Sequence, residues 1–139
     1  MNIDSIQNGI VIDHITAGKG MEIYNLLELH KLDCSVALLM NAYSGKMGKK
    51  DIIKVNADID IDMNALGYVD PGATVVIIRD NKVVEKHAVS LPKKLVNVLK
   101  CKNPRCITSI EQELTHEFKL TDPQKRVYRC IYCEQKASK

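Results

Sequence analysis

The chain carries the sequence CKNPRC at residues 101–106 and the sequence CIYC at residues 130–133. Four residues separate the first two cysteines, two separate the last two, and residues 107–129 lie between the pairs. Closely spaced cysteines on tight turns supply two thiolates each, and four thiolates complete the tetrahedral shell that zinc prefers. The spacing therefore predicts one structural Zn²⁺ with no open position for a substrate, bound by Cys101, Cys106, Cys130 and Cys133.

The segment around these cysteines is too short to fold on packing alone. We expect residues 98–139 to form a small zinc-stapled β domain in which the metal supplies much of the folding free energy. Iron–sulfur ligation uses the same four residues, a redox pair would use only Cys130 and Cys133, and unrelated buried thiols would bind nothing. The fifth cysteine, Cys34, lies in an apolar run and is expected to be a small buried hydrophobe.

The sequence before this domain predicts a mixed sheet and helix domain over residues 1–97. β-branched and apolar runs predict five strands, and amphipathic spacing predicts two helices. The strands are expected near residues 9–15, 35–40, 51–55, 73–78 and 82–86, and the helices near 23–30 and 63–68. Asp60 or Asp62 is placed to cap the second helix. The order β-α-β-β-α-β with one further strand predicts an α+β, ferredoxin-like antiparallel sheet with both helices on one face.

Composition is typical of a globular chain, with 45% hydrophobic and 27% charged residues in 139. No apolar run reaches the ~20 residues of a membrane-spanning helix, and the N-terminus lacks a secretory signal, so we expect a cytoplasmic protein without a membrane partner. Residues 1–97 hold 11 Lys/Arg against 12 Asp/Glu, whereas residues 98–139 hold 9 against 5. The basic excess of the second domain suits either nucleic acid or an acidic protein surface.

A set of charged residues in the first domain suits a polyphosphate. Lys50 and Lys54 share one face of a strand because their separation is even, and Lys86 ends another strand. Asp13 and His14 close the first strand and are placed to meet a sugar or a phosphate. Lysines of this kind are often only solvated, and the isolated histidines 30, 87 and 116 favour structural roles. The sequence contains no phosphate-binding glycine loop and no catalytic-triad or zinc-protease motif, so it gives no evidence for a catalytic site.

Five stretches together resemble the regulatory chain of aspartate carbamoyltransferase over essentially the whole length. They are GIVIDHI at 9–15, SGKMGKKDIIK at 44–54, SLP at 90–92, NVL at 97–99 and the cysteine pattern that ends CIYCE at 130–134. The resemblance implies a non-catalytic subunit that binds the effectors CTP and ATP and controls pyrimidine biosynthesis. It also implies docking of the zinc domain on the catalytic chain and pairing with a second regulatory chain.

The resemblance further implies a nucleotide site in the first domain. Its charged members would be Asp13, His14, Lys50, Lys54 and Lys86, and its apolar members, on the base side, would be Ile6, Ile78 and Val83. Two positions depart from the familiar pattern, since Val76 replaces an asparagine and Asn81 replaces a tyrosine, and both bear on the choice between CTP and ATP. The alternative function is a zinc-ribbon nucleic-acid-binding protein, but single-stranded binding usually needs exposed aromatic side chains. The chain has one Phe and no Trp, so we expect no nucleic-acid partner.

Overall fold

The structure is a computed structural model that describes residues 7–111 and 113–137. The described residues divide into two compact units between Ser90 and Leu91. The predicted boundary at residue 97 is therefore too late. The reason is the short strand β6, Lys94–Val96, which pairs with a strand of the second unit and belongs to its sheet. No described helix has the length and apolar composition needed to cross a bilayer.

The first unit contains five strands and two α-helices. In chain order they are β1 (Gly9–Thr16), α1 (Gly20–Leu26), β2 (Val36–Ser44), β3 (Gly48–Val55), α2 (Met63–Val69), β4 (Thr74–Arg79) and β5 (Lys82–Ala88), with a 3₁₀ turn at Leu29–Lys31 after α1. The sheet order β2-β3-β1-β4-β5 is antiparallel throughout. This is the ferredoxin-like arrangement predicted from the sequence, with β5 added at one edge.

The helices pack on one face of this sheet. Ile12, Ile53 and Val75 project from the strands into a core that also contains Ile23 of α1 and Leu66 of α2. Strand residues alternate between faces, so the intervening residues of the same strands lie on the opposite, open face. The sheet thus has one buried face and one face without helices.

Local hydrogen bonds and backbone angles explain where α2 begins and how β4 turns into β5. Asp62, one of the two predicted caps, begins α2 because its Oδ1 accepts hydrogen bonds from the backbone N–H groups of Asn64 and Ala65, each at 3.0 Å. Asp80 and Asn81 both have positive φ and form the two-residue β4–β5 turn. The β2–β3 hairpin was expected to have a long loop, but the strands extend to Ser44 and Gly48 and leave only residues 45–47 between them.

The second unit is a three-stranded antiparallel sheet with one short helix. Strand β6 pairs with β7 (Glu117–Asp122), which pairs with β8 (Val127–Cys130), and the helix α3 (Ile107–Ile110) precedes β7. The buried face consists of Leu95, Phe118 and Tyr128, each at most 2% exposed, together with the cysteines. Three large apolar side chains make a small core, as expected for a domain stabilised by a metal.

Candidate metal centre and the open sheet face

The four predicted ligands meet at one point of the second unit. Cys101 and Cys106 lie on the segment between β6 and α3, Cys130 ends β8, and Cys133 lies in the turn that follows. Their four sulfur atoms lie within 4.8 Å of one another. Two of the separations that cross between the two pairs are 3.6 Å, for Cys101 and Cys133, and 3.7 Å, for Cys106 and Cys130.

These separations fit a single tetrahedral ion. Metal–sulfur bonds of about 2.3 Å place the sulfurs of a tetrahedron about 3.8 Å apart. A cluster of several irons would need a larger cage, because iron and sulfide atoms would stand between the thiolates. A redox pair is not favoured either, since four sulfurs, and not two, converge on one point. The four thiolates would close the shell, so a metal bound here would have a structural role.

Protonation of the four thiols shows why the site needs a cation. Burial raises the pKa of Cys101 to about 12 and also raises the pKa of Cys130. Burial opposes ionisation of Cys133 as well, but donors from the backbone of Gln135 and the side chain of Asn103 lower its pKa to about 7. The pKa values of Cys101 and Cys130 are thus raised, whereas those of Cys106 and Cys133 are lowered. A divalent ion favours loss of the thiol protons and offsets two of the four thiolate charges.

Hydrogen bonds around the sulfurs fix the two cysteine turns. The Thr108 hydroxyl donates to Cys106 Sγ at 3.1 Å, and both residues are buried. This bond lowers the pKa of Cys106. The Cys101 backbone N–H donates to His116 Nδ1 at 3.1 Å, and Asn97 Oδ1 accepts from the His116 backbone N–H. His116 therefore has the structural role expected for it, as a link between the first cysteine turn and β7.

Thr108 was missed at the sequence level. The signal for it in the sequence is a hydroxyl residue two positions after a ligand cysteine, but threonine is common at the start of helices for other reasons.

Cys34 agrees with its prediction in part. It lies two residues before β2 rather than inside the strand, is half-buried, and packs against the core of the first unit.

The open face of the first unit carries most of the predicted nucleotide residues. Strand register places Lys54 opposite Val11, Val11 opposite Val76, and Val76 opposite Lys86. These four residues form one row across β3, β1, β4 and β5, with a lysine at each end and two valines between them. Three strand spacings of about 4.8 Å separate the two lysines, or about 14 Å between their backbones.

A second group lies at the end of β1. Lys50 Nζ forms an ion pair with Asp13 Oδ1 at 3.0 Å, with both side chains largely buried. Burial opposes ionisation, but the hydrogen bonds from Lys50 and from the His14 backbone N–H lower the pKa of Asp13. His14 has a φ of 56° in a β-bulge that shifts the register between Ile12 and Ile15. Asp13 is thus held charged beside the bulge.

The predicted apolar residues of the nucleotide site do not all lie together on the open face. Ile78 and Val83 are directly opposite each other on β4 and β5, one row from the valine pair. Val83 is 55% exposed, so it is free to contact a ligand. Ile6, the remaining predicted position, lies outside the described residues.

The chain thus joins an α+β domain with an open, charged sheet face to a domain whose four clustered cysteines are arranged for a metal ion, and this defines a two-domain metal-binding protein. The family model described as the aspartate carbamoyltransferase regulatory chain, allosteric domain, matches residues 1–90. The model of the same chain's metal binding domain matches residues 93–139. The chain belongs to the family of aspartate carbamoyltransferase regulatory chains, and it is a regulatory, non-catalytic subunit.

Similar proteins agree with this assignment over nearly their full length. The regulatory chain of Clostridium tetani is 53% identical over 136 residues, which cover 97% of this chain and 94% of the relative. That of Clostridium botulinum strain Hall is 51% identical over 135 residues, covering 97% and 92%. That of Bifidobacterium longum is 43% identical over 137 residues, covering 99% of both. The family assignment replaces the alternative of a zinc-ribbon nucleic-acid binder.

Proposed function

We propose that this chain binds CTP and ATP on the open face of its first domain and passes that binding to the catalytic chain of aspartate carbamoyltransferase through a zinc-stabilised second domain. The observation that carries the proposal is the row in which Lys54 and Lys86 flank Val11 and Val76. These two lysines bound an apolar strip, and their side chains are long enough to reach over it. A triphosphate between them would receive charge from both sides while the strip supports the sugar and base.

The other members of the proposed site extend this row. Lys50 adds a third ammonium group, already paired with Asp13 at 3.0 Å. A phosphate that approached Lys50 would compete with the Asp13 carboxylate for it. Asp13 and His14 would then be available to the ribose, and Ile78 and Val83 to the base. Val76 offers no side-chain hydrogen bond, so recognition of the base would fall to backbone groups.

Zinc is the metal that we assign to the second domain. Four thiolates and no oxygen or nitrogen donor form a soft set, and zinc fits a closed tetrahedral shell because its filled d shell imposes no other geometry. Exposed apolar side chains on the turns and helix around the metal would contact the catalytic chain. They are Ile107, Ile110, Ile131 and Tyr132. The assembly we propose pairs this chain with a second regulatory chain and operates in the cytoplasm.

Regulation follows from linkage between the two sites. A nucleotide bound far from a catalytic centre alters activity only when its affinity differs between two states of the assembly, with a typical coupling of ~1 to 3 kcal/mol. The zinc domain is the part of this chain through which that bias must pass. The chain alone is expected to have no carbamoyltransferase activity.

Calorimetric titration of the zinc-loaded chain with CTP and with ATP tests the site. Lys86→Ala should raise the dissociation constant about tenfold or more, because a charge-assisted hydrogen bond is lost. Lys82→Ala is the matched control. Lys82 is on the same strand as Lys86, but the register of β4 and β5 shifts between Ile77 and Ile78. This shift places Lys82 opposite Arg79, on the other face of the sheet. Equal affinity of the two variants for both nucleotides would remove Lys86 from the site. Aspartate saturation curves of the assembly with CTP, ATP or UTP then give the sign of regulation.

A further inference from the structure

The outer face of the small second sheet carries an unbroken row of basic side chains. Register places Lys94 opposite Lys119, Lys119 opposite Arg129, and Arg129 opposite Lys136. The neighbouring row, Leu95–Phe118–Cys130, is on the buried face. Opposite pairs share a face, so all four cations project away from the core. They span the full width of the sheet.

This row is unfavourable for the isolated chain. Like charges directly opposite each other on neighbouring strands destabilise a sheet. Within residues 91–111 and 113–137, no carboxylate oxygen lies within 4.0 Å of any of the four charged groups. The Arg129 guanidinium donates to the backbone carbonyl of Glu134 at 3.0 Å instead. In the first unit, by contrast, two valines separate the lysines of the corresponding row.

A depression beside the row offers space for a side chain from outside. Its volume is about 420 Å³, and it is lined by Lys119, Thr121, Arg129, Cys130, Ile131 and Glu134. Ile131 is 44% exposed and supplies an apolar wall next to the cations. An inserted carboxylate would meet Lys119 and Arg129 while its methylene groups contact Ile131. The depression therefore has the chemistry of a pocket for an acidic side chain.

We infer that this basic row is the docking surface for an acidic strip on the catalytic chain, and the inference rests on the proposed function. Charge complementarity selects an acidic partner, and the composition of the face selects protein over nucleic acid. The aromatic side chains of this sheet, Phe118 and Tyr128, are buried on the opposite face and cannot stack on bases. The apolar side chains Val96 and Ile131 suit a protein surface.

Charge reversal at the centre of the row tests this surface in the zinc-loaded full-length chain. Lys119→Glu should weaken association with the catalytic trimer about tenfold at 50 mM salt and should flatten its salt dependence. Lys125→Glu, an exposed lysine of the β7–β8 turn outside the row, should change affinity less than about twofold. Lys94→Glu, at the sheet edge, repeats the test where folding is least at risk. Zinc content and circular dichroism identify variants that have not folded.

The other outcomes separate the surface from the function. If the wild-type chain assembles and both row variants bind as tightly as it does, the basic row is not the docking surface while the proposed function stands. If the wild-type chain does not associate with the trimer at all, the proposed function and this inference both fail. If Lys119→Glu instead abolishes binding of a 20-nucleotide single-stranded RNA and leaves trimer affinity unchanged, the row is a nucleic-acid surface and the inference is wrong.

Discussion

The two domains of this chain hold buried ionisable groups in opposite ways. In the first domain, the fully buried Asp51 carboxylate accepts backbone N–H groups from Gly18, Gly20 and Asn41 at 2.9–3.1 Å. In the second, the four clustered sulfurs are arranged to bind a metal ion. The first domain therefore supplies its own partners for buried charge, whereas the second depends on an ion from solution.

The fit around Asp51 shows how closely the first domain is built for its carboxylate. A Cβ atom added to Gly20 would lie 2.8 Å from Asp51 Oδ2 and 2.8 Å from Leu38 Cδ1. Asp70 works alongside it, since its Oδ2 accepts the Thr16 backbone N–H at 2.6 Å. The two carboxylates together hold the turn between β1 and α1, next to the bulge at His14. The strand that carries part of the open face is thus held by hydrogen bonds within the first domain.

The largest expected effect comes from breaking the metal centre. Cys130→Ser removes one of four thiolates, so the second domain should lose its metal and unfold while the first domain stays folded. Structural zinc supplies on the order of 10 kcal/mol in small metal domains, far more than three buried apolar side chains replace. Limited proteolysis should release the first domain intact, and association with the catalytic trimer should be lost.

Cys34→Ser is the matched control for this prediction. Cys34 is a half-buried thiol of the first domain and is not part of the four-cysteine group. The variant should keep one mole of zinc per chain and resist proteolysis in the second domain. Retained folding and assembly of Cys130→Ser without zinc would contradict a metal-dependent second domain.

A smaller effect is expected from changing the buried carboxylate of the first domain. Asp51→Asn keeps the shape but replaces one acceptor oxygen by an NH₂ group that faces backbone donors. Leaving these buried N–H groups unsatisfied should lower the free energy of unfolding by about 2–3 kcal/mol. Urea denaturation followed by a first-domain probe measures the loss, and zinc content should not change.

Asp58→Asn tests whether burial causes the effect of Asp51→Asn. Asp58 forms an exposed ion pair with Arg79 at 3.3 Å. Exposed pairs contribute about 0–1 kcal/mol, so this variant should unfold close to the wild type. Equal destabilisation by both variants would show that overall charge, and not the buried hydrogen bonds, determines the result.

The contrast between the domains also explains what the sequence reveals. The metal ligands were predictable because four cysteines at this spacing have few other uses, and the ferredoxin-like order followed from strand and helix periodicity. Asp51 was not predicted to be buried, since it lies in the run Lys49–Lys54, which looks like a solvated basic strand. Only the pairing of β3 with β1 places it under the turn that contains Gly18 and Gly20.

The boundary between the domains and the basic row escaped prediction for a related reason. Lys93 and Lys94 give no strand signal, because they follow Pro92, which breaks regular structure, and because lysine favours solvent. Strand β6 exists only through its pairing with β7, more than 20 residues later. Contacts between distant segments leave no local periodic signal in a three-residue strand.

Removing the hydroxyl beside the metal should have an intermediate effect. Thr108→Val preserves shape but deletes the donor to Cys106 Sγ, which makes this thiolate more basic and easier to displace. Loss of an outer hydrogen bond typically lowers metal affinity 10–100-fold. Competition with a chromophoric chelator measures the affinity, and the charge-transfer bands of the Co²⁺-substituted chain report directly on the sulfur.

Thr108→Ser supplies the control, because it keeps the hydroxyl and removes only a methyl group. It should restore the wild-type Co²⁺ spectrum and most of the affinity. If Thr108→Val keeps the wild-type affinity while Thr108→Ser loses zinc faster, packing of the methyl group matters and the hydrogen bond does not.

The smallest expected effect concerns the ion pair on the open face, and it sharpens the comparison through pH. The pKa of Asp13 is lowered in the folded chain by Lys50 and the His14 backbone N–H, against the effect of burial. Its stabilisation is therefore complete above the unfolded pKa of about 3.9 and is lost as pH falls through the lower folded pKa. Asp13→Asn should destabilise the first domain by about 0.5–1 kcal/mol at pH 7 and by almost nothing near pH 2. Hydrogen exchange of the β1 amides measures this difference in the first domain alone. This matters at low pH, where protonation of the thiolates releases the metal from the second domain. A constant difference from pH 7 to pH 2 would rule out the charge of Asp13 as its cause.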